Sequence, residues 1–298
     1  MTGATELGEA AARWEEDGFV VLPSVLAAED LAAAVAELPS MYPTADEFHD
    51  DLDPSRNARF RDDQFGGIDE FPWSGVELNL MAVHPKVVTV AEALLGTTDL
   101  RLYSAESWAK YGGATDYDQP HHRDFLNHTL LVPTRAPAYR QCELFVYLSD
   151  VPEEMGPPHL VPRRFTRDAA LLPNWRDRSV APELYEHEVS GAGPAGTIVA
   201  YSIDTIHRGT NMVAPRGARY TLHVNFRPAA AEWYDRHPWA GRSNLRAWRE
   251  FVGRASVRQL ELFGFPPPGH GFWTAETVAG VAERYPGLDV TPWREALP

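Results

Sequence analysis

The stretch from Leu100 to Phe226 constrains the fold of this chain most. It breaks into short strand-like runs: Leu100–Trp108, Glu143–Leu148, Gly196–Tyr201 and Tyr220–Phe226. Turn residues separate them at Gly112-Gly113, Gly156-Pro157-Pro158 and Gly191-Ala192-Gly193-Pro194. Several short strands punctuated in this way predict an antiparallel double-sheet barrel or sandwich.

Helical patterns flank this block. Leu7, Ala10, Ala11 and Trp14 recur at helical spacing, and Gly18 follows as a stop. Phe19–Pro23 reads as a short buried strand. Leu31, Val35 and Leu38 mark a second amphipathic helix. Residues 42 to 76 are polar with little periodicity, which predicts a long surface segment and a candidate lid. Pro85 opens a third helix that runs to Gly96, with His84 at its N-terminus. After Pro228 helical patterns return at Leu245, Trp248, Phe251 and Val252. No repeat or linker divides the chain. One domain over 1–298 is expected: a helical and lid segment (1–99), a β core (100–228) and a C-terminal helical extension (229–298).

Lys+Arg 27 against Asp+Glu 42 gives a formal charge of -15. Such a surface repels phosphate backbones and anionic lipid, so neither nucleic acid nor a membrane is an expected partner. Cys142 is the one cysteine, so no intrachain disulfide can form. The N-terminus carries no basic and apolar leader, and no apolar stretch approaches the ~20 residues that cross a bilayer. A cytoplasmic location is the expectation. The oligomeric state is not legible.

His122 and Asp124 stand in Gln119-Pro120-His121-His122-Arg123-Asp124, and His207 in Ile206-His207-Arg208-Gly209-Thr210-Asn211. His-x-Asp followed much later by one His is the ligand pattern of the 2-His-1-carboxylate facial triad. That triad holds non-haem Fe(II) by one face and leaves the other open for oxygen chemistry. Residues two apart on a strand face one side, so His122 and Asp124 could reach one ion. His207 would come from a strand nearby, and Thr197–Tyr201 runs just before it. Zinc is the rival ion, but it favours tetrahedral sets with Cys or a third His. His121 lies three residues from Asp124 and would face away. His128 and His223 read as pocket or supporting residues.

Among 11 histidines a chance His-x-Asp is not rare, so a second feature is needed. Pro215-Arg216-Gly217-Ala218-Arg219-Tyr220-Thr221 supplies it. Iron oxygenases of this type take a dicarboxylate cosubstrate, whose far carboxylate suits a bidentate guanidinium. Arg219 and Thr221 are two apart on an expected strand and could hold it by a fork plus a hydroxyl. Arg216, nearer the turn, is the competing choice.

With these residues in place, the chain resembles the phytanoyl-CoA dioxygenase family of Fe(II)/2-oxoglutarate-dependent oxygenases. The likeness spans most of residues 17 to 228. It rests on Gly18–Pro23 with the helix from Leu31, on His84–Gly96 and on His122-Arg123-Asp124. It rests also on Gly156–Pro162, on His207–Asn211 and on Arg219. Two departures stand out. Pro162-Arg163-Arg164-Phe165 replaces the usual ending of the Pro turn, and the loop from Asn211 to the arginine differs in length. The Trp- and Pro-rich tail after Pro228 lies outside the shared core.

The resemblance implies a mainly β fold with flanking helices, a double-stranded β-helix (cupin-like jelly roll). It implies Fe(II), 2-oxoglutarate and O2 as cofactor and cosubstrates. It also implies hydroxylation of a substrate C–H bond with release of succinate and CO2. Iron halogenases of this superfamily lack the carboxylate ligand, so Asp124 disfavours halogenation.

The substrate is less legible. Asn127 and His128 follow the first ligand pair and could hydrogen-bond it, with Trp108, Tyr111 and Phe125 as neighbouring aromatics. Tyr117, Tyr147 and Tyr201 also lie near the ligands. A small molecule, such as a natural-product intermediate, fits better than an acyl-CoA, for which no basic cluster is present. Desaturation, epimerisation and cyclisation remain alternatives, as do a non-catalytic cupin-like binding protein and a zinc hydrolase. The C-terminal tryptophans could cap the pocket or pack the flanking helices, and packing is the favoured expectation.

Overall fold

The computed structural model describes residues 4–234 and 237–297. Among the described residues the strands are β1 (Phe19–Leu22), β2 (Ile68–Glu70), β3 (Leu100–Tyr111), β4 (Cys142–Tyr147), β5 (His159–Leu160), β6 (Val189–Ser190), β7 (Ile198–Ser202), β8 (His207–Arg208) and β9 (Ala218–Pro228). The main sheet has the order β1-β7-β4-β9-β3-β2, and a smaller sheet has the order β6-β5-β8. Every pairing is antiparallel. Two facing sheets with helices outside form a jelly roll, and the described strands do not close into a barrel.

The period of two decides which side chains see the site. On β4, β7 and β9, Leu144, Val146, Ile198, Ala200, Leu222, Val224 and Phe226 face outward into the large apolar core shared with the helices. Phe145, Tyr147, Val199 and Tyr201 face the other way and form a second cluster. The inner face is therefore the site face.

The helix Ala4–Asp17 ends at Gly18, which adopts a left-handed φ of 85°. The helix Pro85–Leu95 carries proline in its first turn, a cap from His84 to the Lys86 amide, and left-handed Gly96 after its end. These elements match expectation. The strands β3 and β9 run further than their apolar patterns, to Tyr111 and Pro228.

Residues 42 to 76 differ from the expected surface segment. They hold short helices at Ala45–His49 and Pro54–Asn57 and the edge strand β2. Tyr42, Phe48, Phe60, Phe71 and Trp73 are buried. Phe48 stacks on Tyr111 with centroids 4.2 Å apart. Docked aromatics, not period, hold the segment to the sheet.

Val76–Leu95 is also longer in apolar residues than expected, enough by length and composition to span a membrane. Most of it is buried in the fold, and Val83-His84 divides it into two helices. The C-terminal aromatics pack, as expected. Trp239, Trp248, Phe251 and Phe263 surround Phe71 at 5.3–6.1 Å.

Candidate active site

His122 and His207 sit opposite each other and exchange both backbone hydrogen bonds, at 2.8 and 2.9 Å. This bridge extends the small sheet, because β8 also pairs with β5. Each imidazole is oriented by its own backbone. His122 Nδ1 lies 2.9 Å from the Pro120 carbonyl, and His207 Nδ1 lies 3.2 Å from the Thr205 carbonyl. A carbonyl only accepts, so Nδ1 of each ring carries a proton and Nε2 is the nitrogen left to face an ion.

Asp124 closes the set. Its carboxylate oxygens lie 3.4 Å from His122 Nε2 and 3.3 Å from His207 Nε2. Ligand atoms from all three residues fall within 4.8 Å of one another. Burial alone would raise the Asp124 carboxyl, but His207 and His122 outweigh it and hold it well below its usual range. Asp124 is not on a strand. It has helical dihedrals and begins the one-turn helix Phe125–His128, so the expected strand alternation is not what aims it. His207 likewise lies on its own strand, β8, not at the end of β7.

A cavity of about 440 Å³ opens beside these three residues. At one end stand Arg219, Thr221 and Lys110. Arg219 is buried and donates from Nη1 to the Gly156 carbonyl. Gly156 has a φ of 67°, and a Cβ there would meet the Thr210 carbonyl at 2.6 Å, so the turn needs glycine. Arg219 Nε and Thr221 Oγ1 are buried with no hydrogen-bond partner among the described residues. Lys110 faces Arg219 across the β3–β9 ladder. Its ammonium lies over the rings of Trp108 and Tyr117, at 4.0 and 4.5 Å. Burial pushes Lys110 well below the usual lysine value, and Arg219 adds to the effect. Burial lowers Arg219 too. Two buried cations, an orphaned N–H and an orphaned hydroxyl fit one end of a dicarboxylate.

Arg216 is elsewhere. It is half-exposed and paired with Asp46 and Asp50 on the surface. Of the expected substrate residues, Trp108, Asn127 and His128 line the cavity. Tyr111 does not: it faces the outer side of β3, and its hydroxyl donates to the Pro43 carbonyl at 2.6 Å. Phe125 does not: it packs with Ile203, Ala231 and Tyr234.

His121 points away from the ligands, 3.0 Å from Glu188. Glu188 also binds His159 at 3.0 Å and takes a two-pronged contact from Arg208 at 2.8 and 2.9 Å. The sequence reading missed Lys110, Glu70, Glu106, Phe65 and Phe145, all of which line the cavity. Lys110 was within reach, because it shares a strand face with Trp108.

Two exposed aromatics stand by the site: Phe65 in the cavity lining, stacked on Trp108, and Trp175, 53% exposed and stacked on His122 at 4.3 Å.

A family model described as phytanoyl-CoA dioxygenase (PhyH) matches residues 14–218. The match contains His122, Asp124, His207 and Lys110, and stops just before Arg219. No curated protein matches the chain. Solved structures share its fold. The non-haem α-ketoglutarate-dependent epimerase SnoN from nogalamycin biosynthesis is 22% identical, covering 75% of this chain and 83% of its own, with a TM-score of 0.53. The carbocyclase SnoK from nogalamycin biosynthesis is 22% identical, covering 74% and 83%, with a TM-score of 0.56. EctD from S. alaskensis, solved with 2-oxoglutarate and 5-hydroxyectoine, is 19% identical, covering 75% and 76%, with a TM-score of 0.57.

Proposed function

We propose that this chain, which belongs to the phytanoyl-CoA dioxygenase family of Fe(II)/2-oxoglutarate-dependent oxygenases, hydroxylates an unactivated C–H bond of a small molecule. Iron and 2-oxoglutarate are its cofactor and cosubstrate. His122 and His207 would hold the iron through Nε2, and Asp124 through a carboxylate oxygen. Arg219, Thr221 and Lys110 would hold the far carboxylate of 2-oxoglutarate. Once bound, iron and 2-oxoglutarate supply the power to oxidise a C–H bond with O2, releasing succinate and CO2.

The observation that carries this reading is the acid-free cationic end of the cavity that also contains the His-Asp-His set. A buried guanidinium, ammonium and hydroxyl without an anionic partner among the described residues are costly unless an anion joins them. A carboxylate accepts from all three. A zinc hydrolase has no use for such an end.

The rest of the cavity takes the substrate. Trp108 and Phe145 offer apolar faces, while Glu106, Asn127 and His128 offer hydrogen-bonding groups. A compact molecule with both characters fits a cavity of this size. Proteins of similar fold are named as an epimerase and a carbocyclase, so the outcome is decided by the product.

The test is anaerobic titration of metal-free protein with Fe(II) and 2-oxoglutarate. The wild type should develop the weak visible charge-transfer band of chelated 2-oxoglutarate, and His122→Ala and Arg219→Ala should weaken or abolish it. Absence of the band in folded, iron-loaded wild type would sink the reading. With a substrate in hand, a product gaining one oxygen atom supports hydroxylation, and a product gaining none refutes it.

A further inference from the structure

Asp124 is the one member of the His-Asp-His set that no strand fixes. His122 and His207 are locked by their shared backbone bridge. Asp124 begins a four-residue helix and its side chain caps nothing. A single helical turn has no stability of its own, so side chains must place it.

Two contacts do so. At the start of the turn, the Tyr201 hydroxyl lies 2.9 Å from Asp124 Oδ2 and 2.8 Å from His223 Nε2. A carboxylate only accepts, so Tyr201 donates to Asp124 and accepts from His223. At the end of the turn, His128 Nδ1 lies 3.0 Å from Glu143 Oε1, which also takes the Tyr103 hydroxyl at 3.3 Å. Tyr201 and Glu143 are direct partners in the β4–β7 ladder. His223 comes from β9, the next strand, and stacks on Phe145 at 4.1 Å and 7°. Both contacts thus spring from one point of the rigid main sheet.

We propose that Tyr201 and Glu143 form a two-point clamp that sets the Asp124 carboxylate for its metal. Tyr201 acts on the ligand itself, and Glu143 acts through His128, four residues further on. Both are positioning residues, and the inference rests on the reading of His122, Asp124 and His207 as the metal site. With Oδ2 held by Tyr201, the Asp124 carboxylate is fixed in rotation and would meet an ion in one orientation. Without that bond the carboxylate is free to turn, and the donor set it would offer an ion changes.

The experiment is anaerobic titration of the full chain with Co(II), whose visible spectrum reports coordination number, followed by Fe(II) affinity. Tyr201→Phe keeps the ring that packs on His207 and Phe145. It should raise the metal Kd about 10- to 100-fold, as loss of an outer-shell partner does, and alter the Co(II) spectrum. His128→Leu should weaken metal binding in the same direction without touching a ligand. His128→Gln, which keeps a donor toward Glu143, should restore most of the affinity. The clamp is overturned if Tyr201→Phe binds metal with unchanged Kd and spectrum. It is also overturned if folded His128→Leu and Glu143→Ala both bind as the wild type does. A wild type that binds no metal would remove the site reading instead.

Discussion

Lys110 and Arg219 stand directly opposite each other in the β3–β9 ladder, both buried and both basic, with no acidic partner among the described residues. Directly opposite side chains have Cβ atoms about 5 Å apart, and like charges there are destabilising. The pair has a stated effect on the ligand-free protein. Lys110 titrates well below its usual value of 10.5 in the fold. Between that lowered value and the usual one, the unfolded chain binds the extra proton. Ligand-free stability should therefore rise with pH across this window. Lys110→Met should raise the melting temperature of ligand-free protein at neutral pH and flatten the slope. A fall in melting temperature with the slope intact would contradict the assignment.

The same pair predicts how 2-oxoglutarate binds. Arg219→Lys keeps charge but loses the fork, and should weaken 2-oxoglutarate at least ~30-fold, the equivalent of about 2 kcal/mol. Arg216→Ala should leave the affinity within about twofold, because Arg216 is bound to Asp46 and Asp50 in solvent. Where Lys110 is neutral without ligand, binding takes up a proton, so affinity should fall as pH rises. Calorimetry in two buffers of different ionisation enthalpy measures that uptake. An Arg216→Ala variant weaker than Arg219→Lys would reverse the choice between them.

Tyr111 is structural. Its hydroxyl donates to the Pro43 carbonyl, and its ring lies between Phe48 and Phe60. Tyr111→Phe should cost about 0.5–1.5 kcal/mol of stability, the worth of one hydrogen bond. It should leave 2-oxoglutarate affinity unchanged. Trp108→Ala, on the cavity face of the same strand, should impair substrate turnover instead. Chemical denaturation with a 2-oxoglutarate titration separates the two outcomes.

These residues also show what the sequence could reveal. Strands β3, β4, β7 and β9 were legible because each is a short apolar-rich run beside turn signals, and side chains along a strand alternate between its two faces. The alternation also sorts faces: Trp108 and Lys110 share one, and Tyr111 takes the other. Applied along the whole strand, it would have given Lys110 and withdrawn Tyr111. Strands β5, β6 and β8 have two residues each, too few for any pattern. The spacing of His122 and Asp124 was informative for a reason other than strand geometry. Asp124 turns into a helix, and buried contacts of Tyr201, Glu143 and Phe125 hold it there. Residues 42 to 76 looked irregular because their structure comes from short turns and docked rings such as Phe48, Phe60 and Phe71.

The last prediction concerns acid. Glu188 joins His121, His159 and Arg208, and so ties the residue just before β6 to β5, to β8 and to the residue beside His122. Burial alone would raise its carboxyl, but the Arg208 guanidinium and the two imidazoles hold it far below the usual carboxylate range. A depressed folded value means that the stabilisation is complete above the unfolded carboxylate value near 4.5 and is lost as pH falls below it. Glu188→Gln should remove that dependence. It also leaves Arg208 short of its buried partner, next to His207. The variant should therefore be less stable than wild type at neutral pH, with the difference narrowing in acid, and should bind Fe(II) more weakly. Melting curves from pH 3 to 7, paired with metal titration, test both. Parallel curves for the two proteins would show that Glu188 carries no such linkage.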